Sequence, residues 1–407
     1  MSHNAAAARL PLTVPIGLSL FFTGITYAST LNYGAIVGID TLGIPNGLYS
    51  LLLMAFSLAS AAASVVLGSI SDRVSDRRIL VIGTALMGAL AFGIIFAFRT
   101  QVAFIIAICV IMPFGGALFS QSFSYSRSYY NVRHPERAEF MVTMLRTIFS
   151  VAWVIVPPIV GWFAAKTTVF NTYGIAAIAY LVVAAIFAVL LRNPEAKIGT
   201  APTKTGQPAV RLAKARIEPA IMGGIIGVTL IFTAVSIRTV TIPLLLTSTL
   251  KGSYADLGIF AAVAAALELP FMVAWGYALR RMSKHTMIIC GALLYAVYLV
   301  LMSRATSVTE MLWLQLLNGP AHGALMTIPI SYLQDAIKGR VGLSTSLLDV
   351  SNVVAGLATA ALFGALTAQV QNYPLLLVVA AGLSAAGAVT LFVSHRLLER
   401  PVPATAR

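Results

Sequence analysis

Charge is scarce in this chain: 10% of its 407 residues are Asp, Glu, Lys or Arg. A soluble domain carries about 25%, so a soluble globule, a disordered chain and a fibrous protein are all excluded. Acidic residues are the rarest class, 13 against 27 basic ones, and the net charge is +14. Cysteine is nearly missing. Cys109 and Cys290 both lie inside apolar runs, where a thiol is an inert helix residue rather than a disulfide or metal ligand. Alternating ten-residue strands are absent, which excludes a membrane β-barrel. HExxH, paired CxxC, GxSxG and phosphate-loop motifs are absent too, and no sizeable polar domain exists to hold a catalytic site. An enzyme and an ATP-driven pump are therefore not expected, nor is any cofactor or metal.

What the chain has in abundance is apolar sequence. Hydrophobic residues make up 59% and mean hydropathy is +0.90. An apolar run of roughly 18 or more residues spans a bilayer. The runs here predict twelve transmembrane helices, near 11–39, 46–70, 79–98, 102–125, 139–165, 170–191, 217–247, 254–278, 286–303, 308–333, 341–369 and 373–394. The first is too long for a signal-peptide core of ~7–15 residues and reads as an uncleaved span. Lys and Arg then set the orientation. The segments on the side of the N-terminus hold 21 of them, and the opposite segments hold four: Arg99, Lys166, Lys251 and Arg304. That bias accounts for the positive charge without a nucleic-acid partner, because the bases fall in loops and not in one patch with stacking aromatics. Both termini are expected in the cytoplasm. The longest loop is basic and rich in Pro, Thr, Gly and Ala, and reads as a flexible linker at 193–216. It divides the chain into six-helix segments, 1–192 and 217–407.

The two segments are related. A shift of 207 residues lays Pro113 on Pro320, Gly116-Ala117-Leu118 on Gly323-Ala324-Leu325, and Ser124-Tyr125 on Ser331-Tyr332. At nearly the same offset, GSISDRVSDRR (68–78) faces GYALRRMSKHT (276–286). Six spans per half preserve sidedness, so the repeat is parallel.

Two six-helix halves joined by a central basic loop resemble the major facilitator superfamily. The 68–78 loop is similar to that superfamily's signature Gly-x-x-x-Asp-Arg-x-Gly-Arg-Arg through Gly68, Asp72, Arg73, Arg77 and Arg78, while Ser75 and Asp76 stand where glycine and arginine are usual. Three further segments resemble the bacterial sugar efflux transporter branch: Arg146 to Pro158, Leu267-Glu268-Leu269-Pro270 with Gly276-Tyr277, and Gln334-Asp335 with Gly339-Arg340. In span five, Val156 stands before Pro157 where exporters commonly carry glycine. The resemblance implies an all-α integral membrane fold of two pseudo-symmetric bundles and export of small saccharides against protons. It also implies that the 68–78 loop helps latch the cytoplasmic side shut; gating residues are expected at Gly68, Asp72, Arg73, Arg77, Arg127, Asp335, Arg340 and Asp349. A carboxylate such as Asp72 would favour the positive end of the helix starting near Val341; a merely solvated loop is the alternative.

Ionisable groups deep in a span cost ~2.5–3.5 kcal/mol or more and normally face a cavity or a partner. Glu268 sits near mid-membrane in span eight. It could take up a proton on one side and release it on the other, serve packing through a hydrogen bond, or bind solute. Arg146, Ser150, Trp153 and Pro157 share a face of span five, which could line a sugar path; Arg146 could equally snorkel to the cytoplasm. Asp349 and Asn352 lie on one face of span eleven, at a depth like that of Arg146, so a gate-closing bridge is conceivable. Arg238 in span seven could pair with Glu268, bind an anion or snorkel outward. Gln315, Asn318 and His322 face one way along span ten, with His322 near mid-depth and able to titrate near neutrality. Tyr27, with Thr23, Thr30 and the nearby Asn32, and Gln121 with Tyr125 add hydroxyls and amides in spans one and four, which line the central cavity in the resembling family. Polar groups of this kind also join helices to one another.

The reading is thus a secondary transporter working by alternating access, with proton-coupling residues Glu268 and His322. Its expected partners are a small polar solute, protons and the lipid bilayer. A monomer in the bacterial inner membrane is expected. A multidrug exporter and an uptake symporter of the same fold stay open.

Overall fold

The computed structural model describes residues 12–71, 73–198, 219–336, 341–368 and 371–398. Among them the regular structure is entirely helical. The spans are α1 (Thr13–Thr30), α2 (Asn46–Ser71), α3 (Arg77–Phe98), α4 (Gln101–Arg133), α5 (Ala138–Lys166), α6 (Asn171–Leu191), α7 (Pro219–Leu244), α8 (Tyr254–Ala278), α9 (Lys284–Ser303), α10 (Val308–Trp313 continued by Gln315–Ala336), α11 (Val341–Thr367) and α12 (Tyr373–Leu398). Among the described residues ten of these, all but α1 and α10, are long and apolar enough to cross a membrane by length and composition. The two exceptions carry the polar stripes read from the sequence: Thr23, Tyr27 and Thr30 in α1, and Gln315, Asn318 and His322 in α10.

The internal repeat is written into the helix ends. Arg77 and Lys284 start α3 and α9, 207 residues apart, and each follows a side-chain cap, Asp76 on Arg78 N–H and Ser283 on Thr286 N–H. Gln101 and Val308 start α4 and α10 at the same offset, capped by Thr100 on Ala103 and Ser307 on Glu310. Such caps satisfy amide groups that the helix leaves without partners. Beyond α1 and α7 the chain makes one π-helical turn each, Ile36–Thr41 and Leu245–Thr249. The closing hydrogen bonds match at an offset of 208: Leu42 N–H to Val37 O (2.9 Å) with Leu250 N–H to Leu245 O (3.0 Å), and Ile44 N–H to Gly38 O with Gly252 N–H to Leu246 O, both 2.9 Å. Gly43 and Lys251 occupy the same place in the two turns, at φ +69° and +57°. Glycine takes that left-handed conformation freely; lysine there costs about 1–2 kcal/mol. The repeat-related turns also touch, since Ser248 donates to Asp40 Oδ2 at 2.5 Å, and the two positions are 208 apart.

Helix packing repeats as well. In the first copy α1 packs on α5 and α6, and α3 on α6 and α4; in the second, α7 packs on α11 and α12, and α9 on α12 and α10. The chain divides into two compact units, Met1–Leu31 with Ala62–Thr205, and Asn32–Ala61 with Gly206–Arg407. The division falls inside α2. Its first half belongs with the second unit because small residues let it lie close to α11. A Cβ on Gly364 or Gly356 would come within 2.4 or 2.5 Å of the hydroxyls of Ser50 and Ser57. Asn46 Nδ2 donates to Thr367 O at 3.0 Å, and Tyr49 meets Phe363 edge-on. In the first unit a Cβ on Gly24 would lie 2.6 Å from that of Ala152, and one on Gly115 would lie 2.6 Å from Gly88 Cα. Small-residue contacts of this kind are how helices approach in lipid.

Candidate coupling and solute-binding site

The second unit builds its polar centre where α8 and α10 come closest. A Cβ on Gly319 would lie 3.1 Å from Leu267 Cβ, and one on Gly323 would lie 3.4 Å from Glu268 O. These two glycines flank His322 and let its ring reach across. His322 Nδ1 and Glu268 Oε2 are 2.9 Å apart. Their side chains are 13% and 20% exposed, so the pair is neither sealed nor open. Pro270, two residues past Glu268, lacks an amide hydrogen and cannot continue the α8 ladder there. Trp275 Nε1 donates to Pro320 O at 2.8 Å and holds α8 on α10.

Arg238 reaches the same place from α7, but Glu268 pairs with His322 and not with it. The guanidinium lies over the Phe260 ring, 5.8 Å from its centroid, and lies close enough to Tyr295, Tyr298 and Glu268 to interact with them electrostatically. Tyr295 stacks on His322 with ring centroids 6.0 Å apart. Gln315 Nε2 donates to Met311 O at 3.0 Å and to Tyr298 Oη at 3.4 Å. Tyr295 and Tyr298 escaped the sequence reading because α9 carries no charge near them and tyrosine alone does not announce a site. Gln315 and Asn318, read as solute ligands, are 0% and 1% exposed. Two cavities of about 200 and 170 Å³ in this unit share Ser236. One is lined by Ser57, Thr239 and Thr359, the other by Phe232, Ile330 and Asn352. Neither is bordered by Glu268 or His322.

The first unit assembles an aromatic face instead. Tyr27 meets Phe119 and Phe149 edge-on at 6.3 Å each. Phe149 reaches Trp153 at 6.5 Å, and Arg146 lies over Phe123 at 6.0 Å. Thus Tyr27, Arg146 and Trp153, predicted from sequence, are joined by Phe119, Phe123 and Phe149, which were not. Tyr27 gives its hydroxyl to Gly116 O at 2.6 Å. Gln121 is half-buried on α4. Tyr125 corrects the expectation of a solute-facing ring: it is 0% exposed and its hydroxyl is donated to Ala196 O at 2.8 Å, because the start of the linker folds over it. Asn32 is half-buried in the turn after α1 and belongs to the second unit.

A family model described as "Major Facilitator Superfamily" matches residues 16–244 and 224–407. The chain belongs to this superfamily. It is a multi-pass membrane transporter, not an enzyme. Curated relatives include a "Putative sugar efflux transporter" of Deinococcus radiodurans, 25% identical over 95% of this chain and 99% of its own length. Sugar efflux transporter A of Dickeya chrysanthemi is 26% identical over 96% and 98%, and sugar efflux transporter C of Escherichia coli 27% over 81% and 82%. Among solved structures, a mutant form of the nucleoside transporter NupG matches with TM-score 0.79 over 94% of this chain and 100% of its own, at 13% identity. The transporter PepTSo matches at 0.77 over 96% and 99%, with 12% identity. At such identities these structures support the fold alone.

The superfamily's signature loop is locally well braced in this member. Asp76 caps α3 and takes a two-oxygen pairing from Arg78, 2.6 Å at its shortest. Arg78 Nη1 also donates to Leu190 O and to Asn193 O. Burial alone would raise the Asp76 carboxyl. The hydrogen bonds from the Arg78 side chain and backbone, with the charges of Arg78 and Lys197, outweigh it and hold the group below the ordinary carboxylate range. Arg77 Nη1 donates to Ser124 and Ser128 at 2.8 and 2.9 Å. Gly68 has open space beside it, and Arg73 and Arg127 are exposed. Asp349 is exposed on α11. Asp72 and Arg340 lie outside the described residues, as does the side chain of Asp335.

Proposed function

We propose that this transporter exports sugars or similar small polar solutes in exchange for protons, by alternating access. The observation that carries the reading is the Glu268–His322 pair, a titratable hydrogen-bonded couple held at mid-span in an otherwise apolar helix bundle. With Glu268 ionised, His322 donates its Nδ1 proton. A proton arriving at the pair neutralises the carboxylate or charges the ring, and a change of solvent access releases it on the other side. The aromatic face around Trp153, with the Arg146 cation beside it, suits sugar rings: their C–H faces stack on indole and phenyl while hydroxyls take the polar groups. The names of the relatives support a saccharide solute. The Lys and Arg bias supports cytoplasmic termini and a bacterial inner-membrane setting, and the repeat supports functional halves at 1–192 and 217–407 with 193–216 as linker. The braced 68–78 loop is the cytoplasmic latch in this reading, and the transporter acts as a monomer.

The test is accumulation in proteoliposomes under an imposed pH gradient, with a panel of labelled mono- and disaccharides. An acidic lumen is expected to drive saccharide in, and Glu268→Gln is expected to abolish that accumulation. Accumulation driven by an alkaline lumen would make the chain an uptake symporter, and accumulation of a lipophilic cation instead of saccharides would make it a drug exporter.

A further inference from the structure

The Glu268–His322 pair is the accessible end of a longer polar column. From His322 the column continues along one face of α10 to Asn318 and Gln315, seven residues or about 10 Å toward the Arg304–Ser307 connection. The lysine and arginine bias marks that side as outer. Tyr295, Tyr298 and Arg238 flank it from α9 and α7. Here the hydrogen-bond accounting fails. Asn318 Nδ2 and Oδ1, Gln315 Oε1, Tyr295 Oη and Arg238 Nε are all buried without a protein partner, while Asn318, Gln315 and Tyr295 are at most 1% exposed. A polar atom left unmet in a low-dielectric interior is costly, and these five atoms lie on three helices around one titratable pair. Internal water satisfies such groups when a site offers two to four polar partners.

We propose that these side chains hold a chain of internal water molecules that conducts protons between the outer surface and the Glu268–His322 pair, on a path apart from the solute. The proposal rests on the coupling assignment above. A hydronium ion at the outer end gives one proton to the chain. Each water or hydroxyl accepts a proton on one side and passes one to the next, and the last proton bonds to the pair, whose charge rises by one. No other bond changes. The fixed charge of Arg238 keeps an excess proton from resting within the chain, so its favourable station is the anionic end at Glu268. Polar solute does not fit beside side chains this deeply buried, which separates the two paths.

Radiolytic hydroxyl-radical footprinting of the purified transporter tests the water directly, since it labels a buried ring only where bound water lies against it. Tyr295 and Tyr298 are expected to be labelled in the wild type, and their labelling to fall several-fold in Asn318→Leu and in Gln315→Met, each checked for a monodisperse folded peak. Absence of label in the wild type overturns the proposal without touching the coupling assignment. In proteoliposomes, the ratio of gradient-driven accumulation to saccharide counterflow is expected to fall about ten-fold in Tyr295→Phe and in Asn318→Leu. If Asn318 binds the solute instead, both rates fall together and the ratio holds, which also overturns the proposal. A wild type that moves no saccharide under any gradient refutes the coupling assignment itself, and the footprint still decides the water.

Discussion

At repeat-equivalent places the two copies have made opposite choices. Tyr295 and His322 in the second copy correspond, at an offset of 207, to Gly88 and Gly115 in the first. In the second copy the positions hold stacked rings, with His322 bonded on to Glu268. In the first they hold two glycines whose backbones touch, so that a Cβ on Gly115 would fall 2.6 Å from Gly88 Cα. Asn318 and Gln315 correspond to Ile111 and Ile108, and Glu268, at the offset of 208, to Ser60. One backbone plan therefore supports a sealed apolar junction in one copy and a polar centre in the other. The two copies differ here in the side chains they carry on a duplicated scaffold, not in helix arrangement. The first copy spends its strong polar groups on bracing, Arg78 on Asp76 and two carbonyls, Tyr125 on Ala196 and Tyr27 on Gly116.

Four experiments test that contrast. The largest effect is expected for Glu268→Gln, which should reduce gradient-driven saccharide accumulation by about 100-fold or more, while Ser60→Ala, its counterpart, should leave it near wild type; equal losses would erase the distinction between copies. Next come the equivalent caps. Asp76→Ala strands the buried Arg78 charge and should cost about 3–5 kcal/mol, whereas Ser283→Ala loses a cap alone and should cost about 1 kcal/mol, both read as shifts of the unfolding midpoint in detergent. Because the Asp76 carboxyl is held low in the folded chain, its contribution is present above the ordinary carboxylate range and is lost as pH falls through the lowered value. The wild type should thus lose stability on acidification over a range where Asp76→Asn responds less, and parallel curves would refute the pairing. Third, Gly115→Ala should destabilise by about 1–3 kcal/mol through backbone overpacking, and Gly276→Ala, with open space beside it, by nothing measurable. The smallest effect is expected in the aromatic face. Trp153→Phe should raise the saccharide concentration for half-maximal counterflow about three-fold, since a smaller ring keeps part of the stacking. An unchanged value would remove Trp153 from the solute path.

Much of the molecule is legible in its sequence. Span number and the Glu268, His322 and Arg238 outliers followed from one penalty, that of placing charge or unpaired backbone in hydrocarbon, and the repeat followed from identities at a fixed offset. The pairing was less legible. Arg238 had three open fates; in the structure its guanidinium lies over the Phe260 ring, and Glu268 hydrogen-bonds His322. Tyr125 looked like a sugar ligand and is a buried peg for the linker. Phe119, Phe123, Phe149, Tyr295 and Tyr298 went unnoticed, because apolar and phenolic rings are ordinary residues in a membrane helix until their neighbours are known.

Sequence patterning was enough to make this chain an all-helical membrane protein of two related halves. Hydropathy and charge bias are sums over many residues, and each term is local. Which polar groups meet is a matter of how the helices pack. A helix face presents a residue within about 1.5 Å of rise per position, but the choice between a partner 2.9 Å away and none depends on how closely a second helix can approach. Here glycines at 319 and 323 set that approach, and their meaning is invisible until the facing helix is in place.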